Sequence, residues 1–173
     1  MALPCGLLEW PVPVRDLRCS KTCFFTDGSC LFPAVPDIRV AGAAVITPCG
    51  EGAFDTIWAV NLPTSHQTIQ RAEVLSGAVA AGSALHPVII SDSLYFVRIA
   101  RRLAEAFFAG HCLPWPTENL DVWEFFVLHL KGCHSAEFVW IKAHQDLSGL
   151  EGLQHALASG HAFVDQVAKG VVH

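Results

Sequence analysis

The alternation of apolar and polar positions outlines nine elements after residue 21. "TCFFT" (22–26) reads as a short strand, "RVAGAAVIT" (39–47) as a second, and "AFDTIWAV" (53–60) as a third reached through a turn at 48–52. Short connections between three successive strands predict an antiparallel meander. "QRAEVLSGAVAAGSAL" (70–85) carries the helical period and few β-branched residues. "PVIIS" (87–91) is a continuous apolar run, the pattern of a strand covered on both faces. "SLYFVRIARRLAEAFF" (93–108) predicts an amphipathic helix, with Arg98, Arg101, Arg102 and Glu105 on one face and Val97, Ala100, Leu103, Ala104 and Phe107 on the other. A further helix is expected over 118–130, with Leu120, Trp123, Val127 and Leu130 inward. "AEFVWIKA" (136–143) is a fifth strand, with Trp140, like Trp123, read as core. A last short helix covers "AFVDQVAKGV" (162–171). The order β-β-β-α-β-α-α-β-α implies an α/β fold, a five-stranded mixed sheet flanked by helices.

Composition narrows the class. With 173 residues, 52% of them hydrophobic, and a mean hydropathy of +0.40, the chain supports one buried core at residues 22–173. Residues 1–21 hold three prolines and little periodicity, and read as a tail or linker stub. The longest apolar region, Val74 to Ile90, is broken by Gly77, Gly82, Ser83, His86 and Pro87, so it reads as a buried helix and strand with no membrane span. No basic segment followed by an apolar one marks a signal peptide. Seven scattered cysteines without a C-x-x-C pair suggest reduced thiols in an intracellular protein, cytoplasmic or nuclear. The net charge of −5 argues against nucleic-acid binding by charge alone, though a local basic face or divalent cations could compensate.

Four acids then stand out. Asp27 ends the first predicted strand, Glu73 sits in the first turn of the first long helix, Asp92 follows the fourth strand, and Asp165 lies in the last helix. Strand-end aspartates at the carboxyl edge of an α/β sheet lie where such sheets place ligands. Clustered carboxylates repel unless they share protons or cations, and hard oxygen donors suit Mg²⁺ or Mn²⁺. Each acid also has a plainer reading: a turn former at Asp27, a helix-start acid at Glu73, an N-cap at Asp92, and an exposed helix acid at Asp165.

Six segments in order, "TDGS" (26–29), "AGAAV" (41–45), "QRAE" (70–73), "SDS" (91–93), "VWIKAHQD" (139–146) and "GHAFVDQVAK" (160–169), resemble the type 1 ribonuclease H domain, including those fused to retroelement reverse transcriptases. The resemblance covers nearly everything after residue 22. It implies a ribonuclease-H-like fold and an endonuclease that hydrolyses the RNA strand of RNA–DNA hybrids, leaving a 5′-phosphate. It also implies two Mg²⁺ ions, or Mn²⁺, with Asp27 bridging them, Glu73 and Asp92 completing one shell and Asp165 the other. His144 matches the family's mobile-loop histidine, and Gln70 a residue that contacts the hybrid's minor groove. Gly28 and Ser29 would let the backbone approach the RNA, and Ser93 and Arg98 would lie beside the substrate. Arg101, Arg102, Lys131 and Lys142 are further candidate phosphate contacts. The partners implied are the hybrid and a preceding reverse transcriptase domain, the chain itself being a monomer.

This chain departs from the family pattern in three places. His144 and Asp165 stand 21 residues apart, a wider interval than the family's, because "DLSGLEGLQHALAS" is expanded. His161 replaces an asparagine and Val164 an alanine. The segment "AGHCLPWPTENL" lacks the lysines and arginines of the basic handle found in some members. These departures sustain an alternative, a catalytically degenerate ribonuclease-H-like binding or connection module.

Overall fold

The structure, a computed structural model, describes residues 22–35, 39–50, 52–62 and 67–172. The tail read at 1–21 lies outside them, as does residue 51 of the expected 48–52 turn. The elements are β1 (Thr22–Leu31), β2 (Val40–Gly50), β3 (Ala53–Asn61), α1 (Ile69–Ala81), β4 (Pro87–Ser91), α2 (Leu94–Phe108), α3 (Leu120–Leu130), β5 (Glu137–Trp140) and α4 (Gly152–Gly170). They form one five-stranded sheet in the order β3-β2-β1-β4-β5. The β1–β2 and β2–β3 pairs are antiparallel, as the short connections required, and β1–β4 and β4–β5 are parallel. Among the described residues no helix is long and apolar enough to cross a membrane.

Successive strand residues face opposite sides of a sheet, and here they feed two cores. Phe24, Val45, Ile89 and Phe138 pack with α1, α2 and α3, where Phe96, Trp123 and Phe126 form the aromatic centre. Phe25, Ala44, Ile46, Ile90 and Val139 pack on the other side with Leu157, Val164 and Ala168 of α4. A paired Phe24-Phe25 therefore serves both layers. Across α1 and α3, the buried Arg71 guanidinium donates to both carboxylate oxygens of Asp121, at 2.9 and 2.6 Å.

Several expected boundaries move, each for a physical reason. β1 runs on from Thr26 to Leu31. Its parallel pairing with β4 stops at Phe25↔Ile90, but β2 goes on supplying hydrogen bonds as far as Leu31↔Val40. Asp27 thus lies inside a strand, just beyond the point where its neighbour ends. α1 stops at Ala81, four residues short of the expected end, with Gly82 as its C-cap. Glu73 is in the second turn of α1, which begins at Ile69, and not in the first. In α3, Leu120 is 41% exposed and Phe126 takes the expected inward place. β5 shrinks to Glu137–Trp140, and Trp140 turns outward, 45% exposed, because it ends an edge strand; Trp123 is fully buried as expected.

The largest change is in α4, which begins at Gly152 and not near residue 162. Much of the expanded segment is an N-terminal extension of that helix. Leu153, Leu157 and Ala158 continue the apolar face of Val164 and Ala168 at helical spacing and bury against the sheet. The remaining loop, residues 141–151, is longer than most connections but short of the length at which structureless loops become uncommon.

Candidate active site

Asp27, Glu73 and Asp92 come from three different elements and converge where β1 outlasts β4. Each offers a carboxylate oxygen within 4.8 Å of the others, the only such group of metal-binding side chains among the described residues. Asp27 is 4% exposed and Glu73 5%. Gly28 makes the convergence possible. A Cβ there would stand 2.9 Å from both the Ala72 Cβ and the Glu73 backbone nitrogen. Glycine thus lets α1 lie against β1 and bring Glu73 to the sheet's centre. Asp92 follows the last residue of β4; Trp140 Nε1 donates to its carbonyl at 2.8 Å, and Ser93 caps α2 by accepting from the Phe96 N–H at 3.2 Å.

Few donors meet these carboxylates. The Gly28 N–H donates to Asp27 Oδ1 at 2.8 Å, and the Ser91 hydroxyl reaches Glu73 Oε2 at a long 3.4 Å. His161 of α4 brings Nε2 to 2.9 Å from Asp92 Oδ2 with its N–H off the line between them, a charge contact and not an aligned hydrogen bond. Burial, reinforced by the negative charges of Asp92 and Asp165 and opposed by His161 and the Gly28 N–H, pushes the Asp27 carboxyl up to about 7. Burial also raises Glu73 well above the usual carboxylate range, with Asp27 and Asp92 adding to it and the Gly28 N–H and Ser91 hydroxyl working against it. For His161, burial works against the charged ring, but Asp92, Asp27 and Asp165 outweigh it, so its pKa is raised. Two buried acids, Asp27 and Glu73, that resist ionising beside the half-buried Asp92 make a site in need of positive charge.

That need is the fit test for a divalent cation, and the residues pass it. The donors are carboxylate oxygens of the kind hard cations take, they come from β1, α1 and the tight connection between β4 and α2, and their own hydrogen bonds leave them under-compensated.

Asp165 stands apart from this triad. It lies on the next turn of α4 from His161, close enough for its charge to raise the Asp27 pKa, and its Oδ2 is held at 2.6 Å by Lys169 one turn on. His144, in the left-handed region at φ 48°, comes within 6.4 Å of His161, ring centre to ring centre. Lys142, His144, His161 and Asp165 line a cleft of about 130 Å³ beside the triad.

Of the residues expected beside substrate, Ser29 is buried and Gln70 and Arg98 are exposed. Arg101 is half-buried and donates to the Phe138 carbonyl at 2.6 Å. The handle-less segment folds against α2, where Trp115 and Arg102 line a cleft of about 350 Å³. His161, Ser91 and Trp140 are the site-facing residues that sequence reasoning did not assign. His161 had a signal, its place one helical turn before Asp165, and the Asp165–Lys169 pair had another in its i,i+4 spacing.

The RNase H family pattern matches residues 20–172. The chain belongs to the RNase H family. No curated protein sequence matches it. Solved structures that share the fold include the following two. One is the native protease–reverse transcriptase of prototype foamy virus, at 20% identity and a TM-score of 0.64 over 93% of this chain and 22% of that one. The other is the RNase H domain of PFV, in a solution structure, at 19% identity and a TM-score of 0.62 over 87% of this chain and 93% of that one. The chain thus spans less than a quarter of the foamy virus protease–reverse transcriptase.

Proposed function

We propose that this RNase H family chain is a metal-dependent endonuclease that hydrolyses the RNA strand of RNA–DNA hybrids. The observation that carries the reading is the convergence of Asp27, Glu73 and Asp92, the first two buried and under-compensated within the fold. Asp27, Glu73 and Asp92 would hold one divalent cation, Mg²⁺ or Mn²⁺, with Asp27 and Asp165 serving a second. Such cations supply, when bound, the positive charge that stabilises an in-line displacement at phosphorus and its leaving 3′-oxygen.

The chain's own residues divide the remaining work. Gly28 and Ser91 hold the Asp27 and Glu73 carboxylates in place by hydrogen bonds. Trp140 fixes the backbone of Asp92 from the end of β5. His144, which lines the same cleft as Asp165, would take or deliver a proton at the leaving group. Gln70 and Arg98 present polar groups on exposed helix faces to the hybrid, whose shape and 2′-hydroxyls distinguish it from DNA. With a net charge of −5, affinity would rest on these contacts, on the cations and on a preceding reverse transcriptase domain.

The test is cleavage of an RNA–DNA hybrid labelled on either strand, in Mg²⁺ and in Mn²⁺, with Asp27→Asn alongside. Cleavage of the RNA strand alone, with 5′-phosphate ends and lost in the variant, is expected. A folded wild-type protein that cuts neither strand with either cation would favour the alternative, a binding or connection module on the same fold.

A further inference from the structure

His161 is placed for more than packing. Its side chain is only 6% exposed, yet its Nε2 has no hydrogen-bond acceptor in line with it. That nitrogen points into the acid group and stops 2.9 Å from Asp92 Oδ2. An imidazole nitrogen that carries no proton and a carboxylate oxygen are both lone-pair donors, and at that separation they repel unless something positive is shared between them. An off-line proton serves that purpose poorly. A cation serves it well: for metal bonds of about 2.1 Å, two neighbouring ligands of an octahedral ion stand about 3.0 Å apart.

We propose that His161 is a metal ligand through Nε2, sharing one cation with Asp92, so that the centre is a mixed oxygen–nitrogen one that favours a first-row transition ion over Mg²⁺. Mg²⁺ is a hard ion that keeps oxygen ligands and water, whereas imidazole is a good donor to the transition series. The position of His161 on α4 supports the assignment. It is one turn from Asp165, so both side chains approach the triad from the same helix face, and Gly160 lets the helix sit directly on the Phe25 ring. The proposal rests on the metal-dependent reading above and specifies its donor set.

Pulsed electron paramagnetic resonance of the full chain loaded with Mn²⁺ tests it without reference to turnover. The expected spectrum shows coupling to a directly bound imidazole ¹⁴N, present in the wild-type protein, lost in His161→Asn and in His161→Gln, and retained in His144→Ala. Titration calorimetry should show the preference for Mn²⁺ over Mg²⁺ falling by about tenfold in His161→Asn. Mn²⁺ that binds in an Asp27-dependent way but without nitrogen coupling would overturn the proposal and leave the metal-dependent reading standing. So would a coupling that disappears with His144→Ala and survives His161→Asn. Failure of Mn²⁺ to bind the wild-type protein, or equal binding to Asp27→Asn, would overturn both. An uncoupled wild-type spectrum is decisive without any variant, and a coupled one is assigned by whichever of His161→Asn, His161→Gln and His144→Ala fold.

Discussion

At Gly28 the strand and the helix that carry Asp27 and Glu73 touch, and the contact leaves no room for a methyl group. Gly28→Ala should therefore push α1 off β1, costing about 1–3 kcal/mol of stability. It should also weaken cation binding by separating the two carboxylates. Urea denaturation and metal titration of the same variant check the two effects. Trp140 acts at longer range. Trp140→Phe keeps most of the ring but removes the donor to the Asp92 carbonyl, so stability should fall by about 1 kcal/mol or less while turnover falls by roughly tenfold through misplacement of Asp92. Equal losses in stability and turnover would instead mark Trp140 as a packing residue. At this scale the sequence was partly legible. Asp27, Glu73 and Asp92 could be singled out because acids at strand ends and helix starts are conspicuous among apolar runs. The partners that hold them could not: Ser91, Trp140 and His161 owe their roles to contacts across 18, 48 and 69 residues of chain, respectively.

Among elements, α4 changes the picture most. The sequence pattern predicts the last helix only over 162–171, but Leu153 and Leu157 extend the same buried face, in a segment whose Leu, Gln and Ala residues are good helix formers. The extension gives α4 a firmer seat on the sheet while carrying His161 and Asp165. Gly160→Ala would place a methyl group on the fully buried Phe25 ring. It should destabilise the fold by about 1–3 kcal/mol and displace both residues, a loss that thermal unfolding and cation titration would register together. A stability unchanged by this substitution would contradict the packing described for α4. The strand meander, β4 and α2 were readable because their periods are strong and their connections short. The true length of β1 was not, since only its pairing with β2 tells where it ends, and pairing is not written in one strand's sequence.

For the whole molecule, the buried acids set how stability depends on pH. Asp27 binds its proton more tightly folded, at about 7, than unfolded, and Glu73 and His161 are shifted in the same direction. A raised folded-state pKa contributes stability that is fully present below the unfolded value and lost as pH rises through the folded one. The metal-free protein should therefore lose stability between about pH 4 and pH 7, by roughly 2–4 kcal/mol from Asp27 alone. Its melting temperature in chelator should fall over that window, and a divalent cation should restore it above pH 7. A melting temperature that rises with pH in chelator would contradict the electrostatic description. The same linkage makes cation binding release protons, because the site cannot hold both. Titration calorimetry of a divalent cation into the full chain near pH 7, repeated in buffers of different ionisation enthalpy, measures this directly. Saturable binding with proton release, abolished in Asp27→Asn, is the expected result. Binding without proton release, or binding that Asp27→Asn leaves unchanged, would show that the triad is not the cation site.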